Sequence, residues 1–304
     1  MEEIYEMSRA QARSVLQPQL ADLTTQVTYD AGVDAGVWLD SLPEHHADCL
    51  ITSPPYWCQR TYGTSSAELG CEPRVEDYVA RLVDVLDKAR RVLKPSGWLH
   101  VNIGDTYANQ PGGYRYAESS KVSRHNRSAA GSAPRRDLRD LPYKSLACVP
   151  DRVKIAMLDR GWVLRNVIVW SKGTNPLPST ATDRWWSGWE PILAFTPVSR
   201  GTWYDGERRD AKWGPHGRLD VWIATAARRR NIDHPAGMPP TVVERLIHQT
   251  CPPGGMVIDP FAGGATTLLA AQRLSRFAAG ADLYTWQGLE AAGIYVREWR
   301  ATDG

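Results

Sequence analysis

Residues 47–57 read Ala-Asp-Cys-Leu-Ile-Thr-Ser-Pro-Pro-Tyr-Trp, a short apolar run that ends in a hydroxyl, two prolines and two aromatic rings. A mostly apolar run of this length, bounded by turn signals, is typical of a buried strand in a parallel sheet. The two prolines end the strand because neither has an N–H to donate. The sequence therefore predicts a rigid segment at the carboxyl end of a strand, where open α/β sheets bind ligands.

A second segment has the pattern of a cofactor-binding loop. Residues 256–267 combine an apolar strand, a glycine-rich bend and the start of a helix. Small residues there let the backbone approach a ligand at the carboxyl end of the strand and at the helix N-terminus. Asp282 ends the next predicted strand, 23 residues beyond Asp259. An acid at roughly 20 residues is typical of a side chain that holds ribose hydroxyls.

The chain between these two segments alternates helical and extended patterns. Apolar residues recur at intervals of three and four from Val75 to Val92, which predicts an amphipathic helix. The Lys-Pro-Ser-Gly sequence at 94–97 predicts the turn that ends this helix. Later apolar runs predict three strands, at 98–105, 162–170 and 191–195. Strands that alternate with helices in this way indicate an α/β fold with a mostly parallel central sheet.

Composition narrows the class of protein and its compartment. The 304 residues are 42% hydrophobic and carry a formal net charge of only +2, so the core is ample and no global field attracts nucleic acid. Five cysteines without a CxxC pair argue against a zinc site and against disulfides, so we expect no metal. The sequence shows neither a signal peptide nor a long apolar span. These features together favour a reducing cytoplasm.

Two stretches break the alternation and carry basic residues, and we treat both as insertions. Residues 108–140 hold seven basic side chains against three acidic ones, among many Gly, Ser and Ala residues. Residues 173–232 interleave arginines with aromatic side chains. Such segments are either solvated loops with packed aromatics or arms that contact nucleic-acid phosphates and bases. The candidate DNA contacts are Arg115, Lys121, Arg124, Arg127, Arg135, Arg136, Lys172, Arg208 and Arg209.

Residues 52–56, Thr-Ser-Pro-Pro-Tyr, and residues 259–264, Asp-Pro-Phe-Ala-Gly-Gly, together resemble two motifs of a known family. They are similar to motifs IV and I of the amino-group DNA methyltransferases that use S-adenosylmethionine. The catalytic motif precedes the cofactor motif, which resembles the circularly permuted β class. Further elements fall in the family's order at 91–97, 102–105, 161–162, 170–172, 234–236 and Asp282. The resemblance implies a Rossmann-like methyltransferase fold and a single catalytic domain over residues 1–304, in a bacterial or phage-encoded protein near the nucleoid.

The resemblance also assigns roles to individual residues. The implied catalytic residues are Ser53, Pro54, Pro55 and Tyr56. The implied cofactor residues are Asp34, Asp259, Phe261, Ala262, Gly263, Asp282 and His234. In this set Asp282 would hold the ribose, Asp34 would lie near the adenine and His234 would close the methionine side. Judged by its spacing alone, Asp34 is a helix cap. Family members usually have glycine where this chain has Ala265, whose methyl group is a small obstruction unless φ is positive there.

The expected reaction is methyl transfer to an exocyclic amine of a base that has left the duplex. Ser53 and the Pro54 carbonyl would accept hydrogen bonds from that amine, and Tyr56 would stack on the base. Serine in the first position resembles the N4-cytosine branch, and N6-adenine remains the alternative. Cys58 is interpreted as a packed thiol, since the residue before it is Trp57 and covalent attack on cytosine carbon 5 has no use for this motif.

Other classes and partners remain open on the sequence alone. A DNA-binding relative without activity is one alternative, and a methyltransferase acting on RNA or on a small molecule is another. The expected partner is double-stranded DNA. Relatives in the β class often form dimers, so a second copy of the chain is a further candidate partner. A cognate restriction endonuclease is another candidate partner.

Overall fold

The computed structural model of the protein describes residues 27–59, 68–108, 141–173, 182–206, 219–225 and 237–299. Within these ranges the chain forms nine strands and five α-helices. The strands are β1 (Val27–Ala31), β2 (Ala47–Thr52), β3 (Leu93–Asn102), β4 (Val163–Ser171), β5 (Trp189–Thr196), β6 (Val221–Ile223), β7 (Met256–Asp259), β8 (Phe277–Asp282) and β9 (Tyr295–Glu298). The helices are α1 (Ala35–Ser41), α2 (Val75–Val92), α3 (Val149–Asp159), α4 (Pro240–Thr250) and α5 (Thr266–Arg273).

All nine strands belong to one sheet, in the order β6-β4-β5-β3-β2-β7-β8-β1-β9. β5 runs antiparallel to its neighbours β3 and β4, and the remaining pairs are parallel. This arrangement confirms the predicted mostly parallel α/β sheet. Along the chain β2 is followed by β3 on one side, and β7 is followed by β8 on the other. The boundary between β2 and β7 is therefore a topological switch point, the place where open α/β sheets bind ligands.

Helices cover both faces of the sheet because the central strands are apolar on both sides. Every residue of β2 is buried, as a continuous apolar run predicts. One core contains the apolar side chains of α1, α2 and α3. The other contains those of α4 and α5. The buried residues of α2 follow the predicted spacing of three and four, so that helix packs the stripe that its sequence encodes.

The start of β3 differs from the prediction. The turn expected at 94–97 lies inside the strand, which begins at Leu93 instead of Trp98. Leu93 pairs with Ala47, yet Trp98 already pairs with Cys49, so an irregularity in the pairing absorbs the extra residues. A β-bulge of this kind accommodates a proline and a glycine without ending the strand. None of the helices in the described part of the chain is long and apolar enough to cross a membrane.

Candidate active site

The two sequence motifs lie side by side because β2 and β7 are neighbours in the sheet. Leu50 pairs with Ile258, so the chain leaves both strands at the same edge. The Thr52 hydroxyl donates to Asp259 Oδ1 at 2.7 Å, across a separation of 207 residues. The Phe261 amide donates to the same oxygen at 3.1 Å. Asp259 thus joins the end of the catalytic strand to the glycine-rich bend.

One cavity of about 1100 Å³ opens at this edge of the sheet. Residues from both motifs form its walls, together with the ends of β3, β5 and β8. The residues predicted from sequence that line it are Asp34, Ser53, Pro54, Pro55, Tyr56, Lys172, Asp259, Phe261, Ala262, Gly263 and Asp282. The fold therefore places predicted catalytic and cofactor residues around a single space.

The segment after β2 is held by contacts on its inner side. The Tyr78 hydroxyl of α2 donates to the Pro55 carbonyl at 2.8 Å. The Trp57 indole donates to the Glu72 carbonyl, also at 2.8 Å. Cys58 is 1% exposed and belongs to the core, which confirms its interpretation as a packed thiol. These contacts anchor the two prolines as the rigid segment that the sequence predicts.

The Tyr56 side chain is fixed by a polar cluster that the sequence did not reveal as one unit. Its hydroxyl donates to Glu190 Oε2 at 2.8 Å and also lies 3.1 Å from Asn102 Oδ1. Lys172 Nζ donates to Glu190 Oε1 at 2.6 Å. Burial raises the pKa of Tyr56 well above its ordinary value; the Glu190 charge acts in the same direction, while a hydrogen bond with Ser53 opposes it. The phenol is therefore neutral at physiological pH and available as a donor.

Sequence reasoning did not assign a role to Glu190, and the strand direction explains why. Glu190 is the second residue of β5, at the amino end of that strand. Because β5 runs antiparallel to β3, its amino end lies beside Asn102, at the edge where the parallel strands have their carboxyl ends. Glu190 is therefore not among the residues at the carboxyl ends of the strands. The detectable signal was a charged residue placed directly before a fully apolar strand.

The glycine-rich segment after β7, residues 260–264, forms the cofactor bend, and close backbone contacts shape it. The Gly263 amide donates to Asp282 Oδ2 at 2.9 Å, and the Tyr29 hydroxyl donates to the Gly263 carbonyl at 3.1 Å. A Cβ at Gly280 would lie 2.8 Å from Ala262 Cβ, so only glycine lets the bend approach β8 this closely. Burial raises the pKa of Asp282 to about 6, against the effect of backbone amides that donate to its carboxylate.

Asp34 has the capping role that its spacing predicts. It is the N-cap of α1, and its carboxylate accepts from the amides of Gly36 at 2.8 Å and Val37 at 3.2 Å. The same residue lines the cavity. The capping role is thus confirmed. The contact of Asp34 with the adenine of the cofactor stays a prediction.

Several predicted residues lie outside the described ranges. They are His234, Arg115, Lys121, Arg124, Arg127, Arg135, Arg136, Arg208 and Arg209. Lys172 is described, and its ammonium group is paired with Glu190 inside the cavity wall. Its predicted contact with DNA remains a prediction.

A family model described as DNA methylase matches residues 47–286, a stretch that contains both motifs. The chain belongs to this DNA methylase family. Among curated relatives, the Type II methyltransferase M.XycI of Xanthomonas campestris pv. cyanopsidis is 32% identical over 272 residues, which cover 88% of this chain and 87% of the relative. The Type II methyltransferase M.Cfr9I of Citrobacter freundii is 34% identical over 254 residues, covering 82% of this chain and 81% of the relative.

Solved structures agree on the fold of this DNA methylase. The PvuII DNA methyltransferase, described as cytosine-N4-specific, matches with a TM-score of 0.59 at 20% identity, covering 86% of this chain and 85% of that one. TTHA0409 of Thermus thermophilus, a putative DNA modification methylase complexed with S-adenosyl-L-methionine, matches with a TM-score of 0.56 at 23% identity, covering 84% and 89%. The predicted Rossmann-like methyltransferase fold is confirmed.

S-adenosylmethionine is the methyl donor of this DNA methylase, as its family membership implies. The residues around the bend fit that cofactor. Gly280 leaves room for the bend to lie close to β8, and the half-buried Asp282 side chain lines the cavity. Backbone that approaches this closely, followed by an acid on the next strand, is the arrangement that holds an adenosyl ribose in such folds.

Ala265 provides a test of strain in the cofactor bend. It has φ 55° and ψ 30°, the left-handed conformation in which a Cβ costs about 1–2 kcal/mol. We expect Ala265→Gly to relieve this strain, which offsets the loss of a buried methyl group. Ala271→Gly is the matched control, since Ala271 is equally buried but lies inside α5, where glycine costs about 1 kcal/mol. Urea unfolding should show Ala265→Gly to be at least about 1 kcal/mol more stable than Ala271→Gly. Equal losses in the two variants would contradict the strain.

Asp259 is expected to make the stability of the methylase depend on pH. Burial raises its pKa to about 7, against hydrogen bonds from Thr52 and Thr267. The ordinary value is about 3.9, so the folded state holds the proton more tightly than the unfolded state does. This group therefore lowers the free energy of unfolding as pH rises from about 4 to about 7.

Asp259→Asn should remove that dependence, because the amide keeps an acceptor for Thr52 and carries no charge. We expect the variant to gain stability relative to the wild type between pH 5 and pH 8, measured by urea unfolding at both values. Asp159→Asn, at an exposed position, is the control and should show no such change. A constant difference between Asp259→Asn and the wild type at the two pH values would refute the expectation.

Proposed function

We propose that this DNA methylase transfers the methyl group of S-adenosylmethionine to the exocyclic N4 amine of cytosine, in a base flipped out of DNA. The observation that carries the proposal is the single cavity whose walls contain both Ser53 and the cofactor bend. The adjacency of β2 and β7 brings these groups together, so a methyl donor on the bend can face an amine held at Ser53.

The chemistry of the amine explains the role of Ser53. An exocyclic amine on a base is a poor nucleophile, because its lone pair is delocalised into the ring. Hydrogen bonds from the amine to the Ser53 hydroxyl and the Pro54 carbonyl favour a pyramidal nitrogen with a localised lone pair. S-adenosylmethionine held at the bend would supply the methyl group: the N–C bond would form as the C–S bond breaks, leaving S-adenosylhomocysteine and releasing one amine proton. A serine hydroxyl is neutral and both donates and accepts, which suits a cytosine amine beside its ring N3. Tyr56 stacks on the base from the cavity wall.

The test identifies the methylated nucleoside directly. The purified chain is incubated with methyl-labelled S-adenosylmethionine and unmodified DNA, and the digested nucleosides are separated by mass spectrometry. We expect label in N4-methylcytosine. Label in N6-methyladenine would overturn the choice of base and leave amino methylation intact. The absence of label in any DNA, together with undetectable binding of S-adenosylmethionine, would favour the inactive DNA-binding relative.

We also infer that the two insertions, 108–140 and 173–232, contact DNA within one catalytic domain. Support comes from the cavity mouth, where Trp185 is 94% exposed and Arg184 stacks at 3.8 Å from the Tyr107 ring centroid. An exposed indole beside an arginine that stacks on an aromatic ring is typical of surfaces that bind bases and phosphates.

Shortening residues 112–140 tests this inference. Each phosphate contact that is lost removes a counterion-release term of about 0.9 from the slope of log affinity against log salt. We therefore expect weaker DNA binding and a shallower salt dependence, measured by fluorescence anisotropy at several salt concentrations. An unchanged slope would show that this insertion does not contact phosphates.

M.XycI and M.Cfr9I are named Type II methyltransferases. On that basis we propose a cognate restriction endonuclease as a partner in the cell. The resemblance to the β class, whose members often form dimers, leads us to propose a second copy of the chain as a partner in solution. Methylated DNA that resists this endonuclease would support the first proposal, and the mass measured by light scattering decides the second.

A further inference from the structure

A half-buried ion pair lies in the cavity wall beside Tyr56. Lys172 and Glu190 are only 17% and 18% exposed, and Nζ lies 2.6 Å from Oε1. Trp170 pairs with Glu190 across β4 and β5, so the two strands bring the charges together. Buried pairs of this kind are weak stabilisers, since desolvation offsets most of the attraction. The main effect of this pair is therefore on the polar group that Glu190 contacts, the Tyr56 hydroxyl.

The hydrogen bonds of the Tyr56 hydroxyl show which group orients its ring. The phenol carries one proton, and two acceptors lie near it: Glu190 Oε2 at 2.8 Å and Asn102 Oδ1 at 3.1 Å. The Ser53 hydroxyl is hydrogen-bonded to the same phenol. The carboxylate is closer and charged, so it makes the stronger hydrogen bond. The Asn102 amide group donates to the same carboxylate oxygen at 3.3 Å and to the Pro191 carbonyl at 3.2 Å. Glu190 is thus the centre of the cluster.

The Tyr56 ring is confined at its edge as well as at its hydroxyl. A Cβ at Gly104 would lie 2.6 Å from Tyr56 Cε2 and 2.9 Å from Cδ2, so glycine lets the ring lie directly against the backbone. With its hydroxyl bound to Glu190 and its edge against Gly104, the ring has one position in the cavity wall. The Tyr56 hydroxyl is also hydrogen-bonded to Ser53, so the position of the ring affects that of the serine.

We propose that Glu190, held by Lys172, is a positioning residue for methyl transfer, because it fixes the Tyr56 ring against which the target base stacks. This role rests on the proposed transfer to a base amine in the cavity. Glu190 acts through Tyr56 and takes no part in proton or methyl transfer. A displacement of about 1 Å at a reacting centre costs on the order of 100-fold in rate, so a loosened Tyr56 ring has a large effect on kcat.

Four variants test the role: Glu190→Ala, Glu190→Gln, Tyr56→Phe and the double variant Glu190→Ala with Tyr56→Phe. We expect Glu190→Ala to lower kcat about 100-fold while the Kd for S-adenosylmethionine stays within about twofold. Glu190→Gln should lose less kcat than Glu190→Ala, since its one amide oxygen can still accept from either Tyr56 or Lys172, whereas the carboxylate accepts from both. In the Tyr56→Phe background, Glu190→Ala should cost less than about threefold, because the hydroxyl that it orients is absent.

Asp48→Ala is the matched control for lost stability. Asp48 is a buried carboxylate that accepts from Lys94 at 2.8 Å and from the Met256 amide at 2.9 Å, and it does not line the cavity. Thermal unfolding of both variants separates a loss of folded protein from a loss of kcat. Effects of Glu190→Ala and Tyr56→Phe that multiply, or a parallel loss of cofactor affinity, would overturn the role. A wild type that labels no DNA would overturn the proposed function itself, which distinguishes the two failures.

Discussion

Ser53→Ala is expected to lower kcat for methyl transfer about 100- to 1,000-fold, the loss typical of removing one hydrogen-bonding group that acts on the transition state. In the proposed reaction the Ser53 hydroxyl holds the amine as its nitrogen becomes pyramidal, so its removal affects the transfer step. The bend and Asp282 remain intact, and the Kd for S-adenosylmethionine should therefore stay within about twofold. Single-turnover assays with labelled cofactor measure the rate, and titration calorimetry measures the Kd.

Ser41→Ala is the control for this experiment. Its hydroxyl donates to the Trp38 carbonyl at 2.7 Å at the end of α1, and it lies outside the cavity lining. We expect wild-type rates from it. If Ser53→Ala reduced cofactor affinity as strongly as it reduced the rate, Ser53 would belong to the cofactor site and its assigned role would be wrong.

Asp282→Ala is expected to have the opposite signature, with cofactor affinity about 100-fold weaker. A hydrogen bond to a charged group contributes about 1.5–3 kcal/mol, and about 1.4 kcal/mol corresponds to a factor of ten. The substitution also removes the acceptor of the Gly263 amide, which loosens the bend. Because Ser53 and Tyr56 are unchanged, kcat at saturating cofactor should stay within about tenfold. Titration calorimetry and steady-state kinetics measure the two quantities.

Glu290→Ala serves as the control for Asp282→Ala, since Glu290 is an exposed acid a few residues beyond β8. We expect no change in affinity from it. An unchanged Kd in Asp282→Ala would show that the Asp282 carboxylate only stabilises the bend. Taken with Ser53→Ala, the two substitutions separate the transfer half of the cavity from its cofactor half.

The elements with strong local patterns could be predicted from the sequence. The buried stripe of α2, the apolar run of β2 and the cap at Asp34 depend on contacts within a few residues, and the structure has all three. The segment after β2 and the bend after β7 were predicted for the same reason, since prolines and glycines determine the local backbone. The acid that ends β8 was predicted from its spacing along the chain.

Other features of the site depend on which strands become neighbours. The sequence determined that Ser53 follows one strand and Asp259 ends another; only the sheet order places them together, with Thr52 and Asp259 bonded across 207 residues. Ala265 has a left-handed φ at the N-cap of α5, a conformation that alanine does not favour by itself. Glu190 reaches Tyr56 because β5 runs antiparallel, a direction that no local pattern encodes. Local periodicity reports which face of an element is buried, whereas pairing between distant strands is decided by the packing of the whole sheet.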